Sequence, residues 1–140
     1  MLEVKNLNAF YGAVQVLHSV NLSVERGEIV GLVGANAAGK STLMFTLAGL
    51  RTTSTGELLF DRRPIANMPA YERVSLGLVL VPERRRLFPF MTVLENLEIG
   101  AYAASARRVA ATTIEEIFAL LPVLAERRRQ VAGTLSGGEQ

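Results

Sequence analysis

Glu28-Ile-Val-Gly-Leu-Val-Gly-Ala-Asn-Ala-Ala-Gly-Lys-Ser-Thr42 is the stretch that decides how this chain folds. Its second half, Gly34 to Ser41, fits G-x-x-x-x-G-K-[ST]. The chemistry of a polyphosphate asks for those residue types. Many N–H donors must turn toward the phosphates, so the backbone has to wrap them closely. Lys40 can reach the terminal oxygens as a point charge. Ser41 offers a hydroxyl to magnesium. A helix that starts at the loop adds N–H groups and the positive end of a dipole. The first half, Glu28–Val33, is a short apolar run suited to a strand buried on both faces. Leu43, Met44, Leu47 and Leu50 share one face of a following helix. Strand, glycine-rich loop and helix form the setting that this motif requires.

Upstream, Leu2–Leu7 and Val20–Val24 alternate apolar and polar residues, as half-buried strands do, and Arg26-Gly27 reads as a turn. Downstream, Thr52–Gly56 reads as a polar breaker, Glu57–Phe60 as a short strand and Arg62–Pro69 as a loop. Val79–Val81 reads as a buried strand stopped by Pro82. Beyond Pro89 the character changes. Thr92-Val-Leu-Glu95 is a capping-box pattern, with Thr92 as N-cap and Glu95 at the third helical position. It opens a helix to about Ala104, and a second helix runs from about Arg107 to Leu121, where Pro122 ends or restarts it. The sequence thus divides into a β/α part, residues 1–87, and a helical part, residues 88–140.

Composition narrows the chemistry. The 140 residues carry no cysteine and one histidine, His18, so a disulfide framework, a zinc-thiolate site and a histidine metal cluster are excluded. No apolar run approaches the roughly 20 residues of a membrane span. No signal peptide is visible, and the expectation is a soluble cytosolic domain. Thirteen of the fifteen basic residues are arginine, and Asp61 is the only aspartate. Arginines cluster at Arg84–Arg86 and Arg127–Arg129. Acids beside both clusters dilute them and no aromatics alternate with them, so nucleic acid is not expected as a partner.

The chain closes on Leu135-Ser-Gly-Gly-Glu-Gln140. Together with the phosphate loop, this resembles the signature motif of ATP-binding-cassette (ABC) ATPases. The resemblance implies an α/β fold: an incomplete P-loop NTPase core with an antiparallel β subdomain and a helical subdomain. It implies that Tyr11 stacks on adenine and that Val16 lines the same pocket. It implies ATP contacts from Gly34, Ala35, Asn36, Ala37, Ala38, Gly39, Lys40, Ser41 and Thr42, and from Ser136, Gly137, Gly138, Glu139 and Gln140. Lys40 and Glu83 would be catalytic, and Ser41 and Glu83 would hold Mg2+. The chain departs from the family at Ala35 and Ala37, where proline and glycine are commoner. A methyl group at residue 37 costs affinity if the backbone there needs positive φ. Glu83 stands where the family has glutamine, and a glutamate can still ligate magnesium through oxygen.

The run from Val81 to Leu97, with Phe10–Asn21, Gly27–Lys40 and Arg127–Gln140, is similar to the ATP-binding subunits of branched-chain amino acid importers. That branch implies a head-to-tail dimer with a second ATPase subunit and contact with transmembrane permease subunits. A solute-binding protein would be an indirect partner, and the subunit would lie on the cytoplasmic face of the plasma membrane. Rival readings are an ABC ATPase of another system, in lipopolysaccharide export or outside transport, and a nucleotide-binding fragment without turnover. In the family the Walker B aspartate, its adjacent glutamate and a switch histidine follow the signature. Asp61 lies too close to the phosphate loop to replace the first, and His18 precedes the loop. The expectation is therefore that these 140 residues alone hydrolyse ATP negligibly and are poorly stable.

Overall fold

The computed structural model describes residues 1–50, 54–83 and 86–140. Two compact units divide between Leu80 and Val81, a few residues before the change of composition at residue 87. Composition marks the change only where helical residues begin, whereas chain contacts mark it earlier.

The first unit is built on an antiparallel sheet of β1 (Leu2–Tyr11), β2 (Val14–Val24), β3 (Ser54–Phe60) and β4 (Arg63–Pro64), in the order β2-β1-β3-β4. In β1 the buried residues are Leu2 and Val4, then Leu7 and Ala9, so the parity of the alternation flips midway. A bulge causes the flip. Val4 pairs with Leu22 but Leu7 with Val20, and Lys5 pairs with Glu57 but Asn8 with Thr55. β1 thus carries one extra residue against both neighbours. Asn6 sits there with φ 50° and donates its N–H to Asn21 Oδ1 at 2.8 Å. Opposite it, Gly56 has φ 111°, and a Cβ there would lie 2.5 Å from the Asn6 carbonyl oxygen. Ser54–Gly56 therefore belong to β3 and are not the breaker that their polarity suggests. Thr52 and Thr53 of that predicted breaker lie outside the described residues. The predicted loop Arg62–Pro69 contains β4 and the fully buried Ile65.

Two helices pack in this unit, α1 (Lys40–Leu47) and α2 (Ala70–Ser75). Arg73 on α2 is only 3% exposed. Its guanidinium donates to Thr46 O at 2.8 Å, Leu47 O at 2.7 Å, Met68 O at 2.8 Å and Ala66 O at 3.1 Å. The last carbonyls of a helix lack partners within it, and Arg73 supplies them for α1. Burial pulls the guanidinium pKa below its ordinary value.

The two expected buried strands are corrected by the structure. Neither 28–33 nor 79–81 is a strand, and among the described residues neither joins a sheet. A strand of that kind is defined by ladders on its edges, and an apolar run without them stays irregular. Nor are the runs buried: 28–33 is exposed throughout, Val30 and Leu32 still at 48% and 44%, and Val79 and Val81 are exposed too. Val30, Leu32, Leu78 and Leu80 line a cavity of about 260 Å3 with Leu43 and Leu47. Ile29 and Val33 point outward, 98% and 95% exposed.

The second unit contains α3 (Val93–Gly100), α4 (Ala104–Arg107), α5 (Ala110–Leu120) and α6 (Pro122–Glu126), then a 3-10 turn, Ala132–Thr134. The capping box forms in full. Thr92 N–H donates to Glu95 Oε2 at 2.7 Å and Glu95 N–H to Thr92 Oγ1 at 3.2 Å. The Thr92 N–H and, at 2.8 Å, its hydroxyl both donate to Oε2 and hold the Glu95 carboxyl below the usual carboxylate range. α3 stops at Gly100, short of Ala104. The helix expected from about Arg107 to Leu121 is α5, which starts at Ala110, and a separate one-turn α4 precedes it. Pro122 both ends α5 and opens α6, since its missing N–H is harmless at the first helical position. Val93, Ile114, Phe118 and Leu135 form the core.

Candidate functional site

The phosphate loop runs from Gly34 to α1. Ala38 N–H donates to Ala35 O at 3.2 Å, closing a turn. Gly39 follows with φ 88°, and a Cβ there would lie 2.8 Å from Leu17 Cδ2, so both conformation and space ask for glycine. Directly after it α1 begins with no side-chain cap, which leaves its first N–H groups for another acceptor. Lys40 arches back over the loop. Its Nζ donates to Gly34 O and Ala35 O, each at 2.7 Å. The loop thus holds an ammonium group against two carbonyls beside a helix N-terminus, an arrangement that phosphate oxygens can take over.

β1 and β2 bring the predicted base-binding residues to the same place. Tyr11, at the end of β1 and 39% exposed, has its hydroxyl 3.5 Å from Thr42 Oγ1 in the first turn of α1. Val16 on β2 sits against Gly39, with its Cγ1 3.7 Å from the Cβ position there. Sequence reasoning missed Leu17, which is buried beneath the loop at 4% exposure. The signal available was the apolar residue adjoining Val16. His18 is exposed on β2. Asp61 pairs with Arg26 at 3.2 Å in the turn between β3 and β4.

Ala37 has φ 65°, in the left-handed region. An L-residue there costs roughly 1–2 kcal/mol, which glycine escapes. Ala37→Gly is accordingly expected to stabilise the protein by about 1 kcal/mol, once glycine's greater unfolded-state freedom is subtracted. The check is an upward shift of the urea midpoint at constant slope; a downward shift refutes the strain at this position.

In the second unit, Glu83 is exposed just after Pro82. Arg84 and Arg85 lie outside the described residues, and Arg86 is exposed with φ 51°. The signature segment is tied by hydrogen bonds to its own unit. Leu135 is buried, and Gln140 Nε2 donates to Leu135 O at 3.0 Å and Ala132 O at 3.2 Å. The N–H groups of Glu139 and Gln140 both donate to Ser136 O, at 3.1 and 3.2 Å. Just upstream, Ala132 N–H donates to Met91 O and Gly133 N–H to Pro89 O, at 2.8 and 2.9 Å.

The family model described as "ABC transporter" matches residues 17–140. The chain belongs to the ABC transporter family. Over its full length it is 39% identical to the high-affinity branched-chain amino acid transport ATP-binding protein BraG of Pseudomonas aeruginosa, covering 60% of that protein. It is 34% identical to the probable branched-chain amino acid transport ATP-binding protein LivF of Archaeoglobus fulgidus, covering 59% of it. The chain therefore spans about three-fifths of the length of these relatives. The ribose import ATP-binding protein RbsA of Yersinia pestis is 41% identical over 101 residues, which are 72% of this chain and 20% of that protein. Among solved structures, a nucleotide-free ABC transporter ATP-binding cassette matches with a TM-score of 0.83 at 27% identity, over 99% of this chain and 60% of that one. A dimeric cassette bound to ADP and Pi matches with a TM-score of 0.74 at 26% identity, over 99% and 65%. The fold is thus the α/β P-loop NTPase fold of ABC cassettes, present here in part. No helix among the described residues is long and apolar enough to cross a membrane.

Proposed function

We propose that this chain is the nucleotide-binding portion of an ATPase subunit that powers an ABC importer, with branched-chain amino acids as the cargo. The observation that carries the reading is the meeting of Lys40, the uncapped start of α1, Tyr11 and Val16 at one loop. The donor set fits Mg-ATP. Lys40 exchanges the carbonyls of Gly34 and Ala35 for phosphate oxygens, and the first N–H groups of α1 take further oxygens. Ser41 would offer its hydroxyl to the magnesium ion, which would neutralise phosphate charge. Tyr11 and Val16 receive the base. Ser136–Gly138 face the nucleotide of a second subunit in a head-to-tail dimer, and the dimeric relative supports that assembly. Hydrolysis then drives permease subunits at the cytoplasmic face of the membrane. BraG and LivF support the cargo assignment because both align over the whole chain. The shorter RbsA match favours a sugar importer as the second reading.

Titration of the purified protein with a fluorescent ATP analogue and magnesium tests the reading. Lys40→Ala is expected to weaken binding roughly 10- to 100-fold, the loss of a charge-assisted contact of about 1.5–3 kcal/mol. Equal affinity in the two proteins, or no binding by either, refutes it. Uptake of labelled leucine against labelled ribose, in cells with and without the intact gene, separates the cargo readings.

A further inference from the structure

Glu139 is an acid inside a motif read as facing phosphate. A free carboxylate there would repel the nucleotide. In this structure both of its oxygens are turned away into the unit's own framework. Oε2 accepts the Ser136 N–H at 2.8 Å. Oε1 faces Arg127 Nη1 at 3.0 Å, and the Glu139 side chain is only 19% exposed. Arg127 follows α6, where its own N–H donates to Val123 O at 3.2 Å, so the guanidinium is presented from a fixed helix end. The bonds from Ser136 and the Arg127 charge hold the Glu139 carboxyl below the usual carboxylate range.

We propose that Arg127 and Glu139 form a positioning pair for the signature segment. Glu139 fixes the Ser136 backbone, and Arg127 orients Glu139 and neutralises it, so that Ser136–Gly138 present hydroxyl and N–H groups to phosphate without an opposing charge. On this proposal both residues act through Ser136–Gly138, in place of the direct ATP contact that the resemblance implies for Glu139. The pair rests on the reading of Ser136–Gly138 given under Proposed function. An arginine eight residues before the motif is invisible as a partner in the sequence, because the chain between turns back through Gln130–Leu135.

The test uses the full-length subunit assembled with its permease partners for turnover, and the isolated subunit for hydrogen exchange. Arg127→Ala is expected to speed exchange of the Ser136 amide about tenfold. It should lower kcat for ATP hydrolysis about tenfold at unchanged KM, with nucleotide affinity at the Lys40 loop also unchanged. Arg127→Lys should retain most of both. The exchanged pair, Arg127→Glu with Glu139→Arg, should recover part of what either single change loses. Unchanged Ser136 exchange in both Arg127→Ala and Glu139→Ala overturns the pairing. Altered exchange with unaltered kcat overturns the positioning role. Either result leaves the proposed function intact as long as Lys40→Ala still abolishes turnover, whereas turnover that survives Lys40→Ala sinks the functional reading itself.

Discussion

Arg73→Leu is expected to lower the unfolding free energy by about 3–5 kcal/mol, the range reached when a buried hydrogen-bond network is broken. The guanidinium serves four carbonyls, two at the end of α1 and two in the segment 66–68. Leucine fills some of the volume but offers no donor, so all four carbonyls lose the guanidinium, and Thr46 O keeps only the Gly49 N–H at 3.1 Å. A typical domain has only about 5–15 kcal/mol of stability in total. Arg73→Lys keeps a charge without the planar fork, and should fall between the two. Urea unfolding followed by circular dichroism checks the order. A loss below about 1 kcal/mol for the leucine variant rules out a structural role of this size. Weakened nucleotide binding is expected alongside, since the phosphate loop leads into the helix that Arg73 secures.

Gly56→Ala should be comparably damaging. The added methyl would stand 2.5 Å from Asn6 O and 2.8 Å from Lys5 O, both main-chain atoms of the central strand β1. It would also sit at φ 111°, outside the regions that L-residues favour. Overpacking and backbone strain each cost about 1–3 kcal/mol, so a loss of about 3 kcal/mol is expected. The melting temperature should fall by about 6 °C or more. Gly77→Ala is an informative comparison. It has φ 97° but nothing within 4 Å of the Cβ position, so it carries the conformational cost without the clash. If the two variants melt together, the close approach of β3 to β1 contributes nothing.

Local chemistry was readable in the sequence, and pairing across distance was not. The loop Gly34–Ser41 and the box Thr92–Glu95 act within a few residues of themselves, so spacing alone identifies them. The positive φ of Ala37 follows from the same short-range logic, through the glycine it replaces. The runs 28–33 and 79–81 read as buried strands because they are short and apolar, yet 28–33 is exposed throughout. A strand exists only where another segment offers its edge, which no window of sequence contains. Nothing in the sequence singles out Arg73, because its acceptors come from the end of α1 and from residues 66–68. Ser54–Gly56 read as a breaker, since their polar character hides a pairing with a bulge across the sheet. The Arg127–Glu139 pair joins residues separated by a reversal of the chain.

The sheet order β2-β1-β3-β4 also has a temporal meaning. All four strands come from residues 2–64, and every neighbour is antiparallel, with β1 and β2 joined by a tight hairpin. The β1–β2 hairpin closes a short loop at little entropic cost and is the part suited to form early, whereas β3 must return across residues 25–53 to reach β1. On a translating ribosome the hairpin can assemble while the runs at 79–81 and beyond are still being made. The phosphate loop would then be threaded onto an existing platform, with Leu17 already in place beneath Gly39.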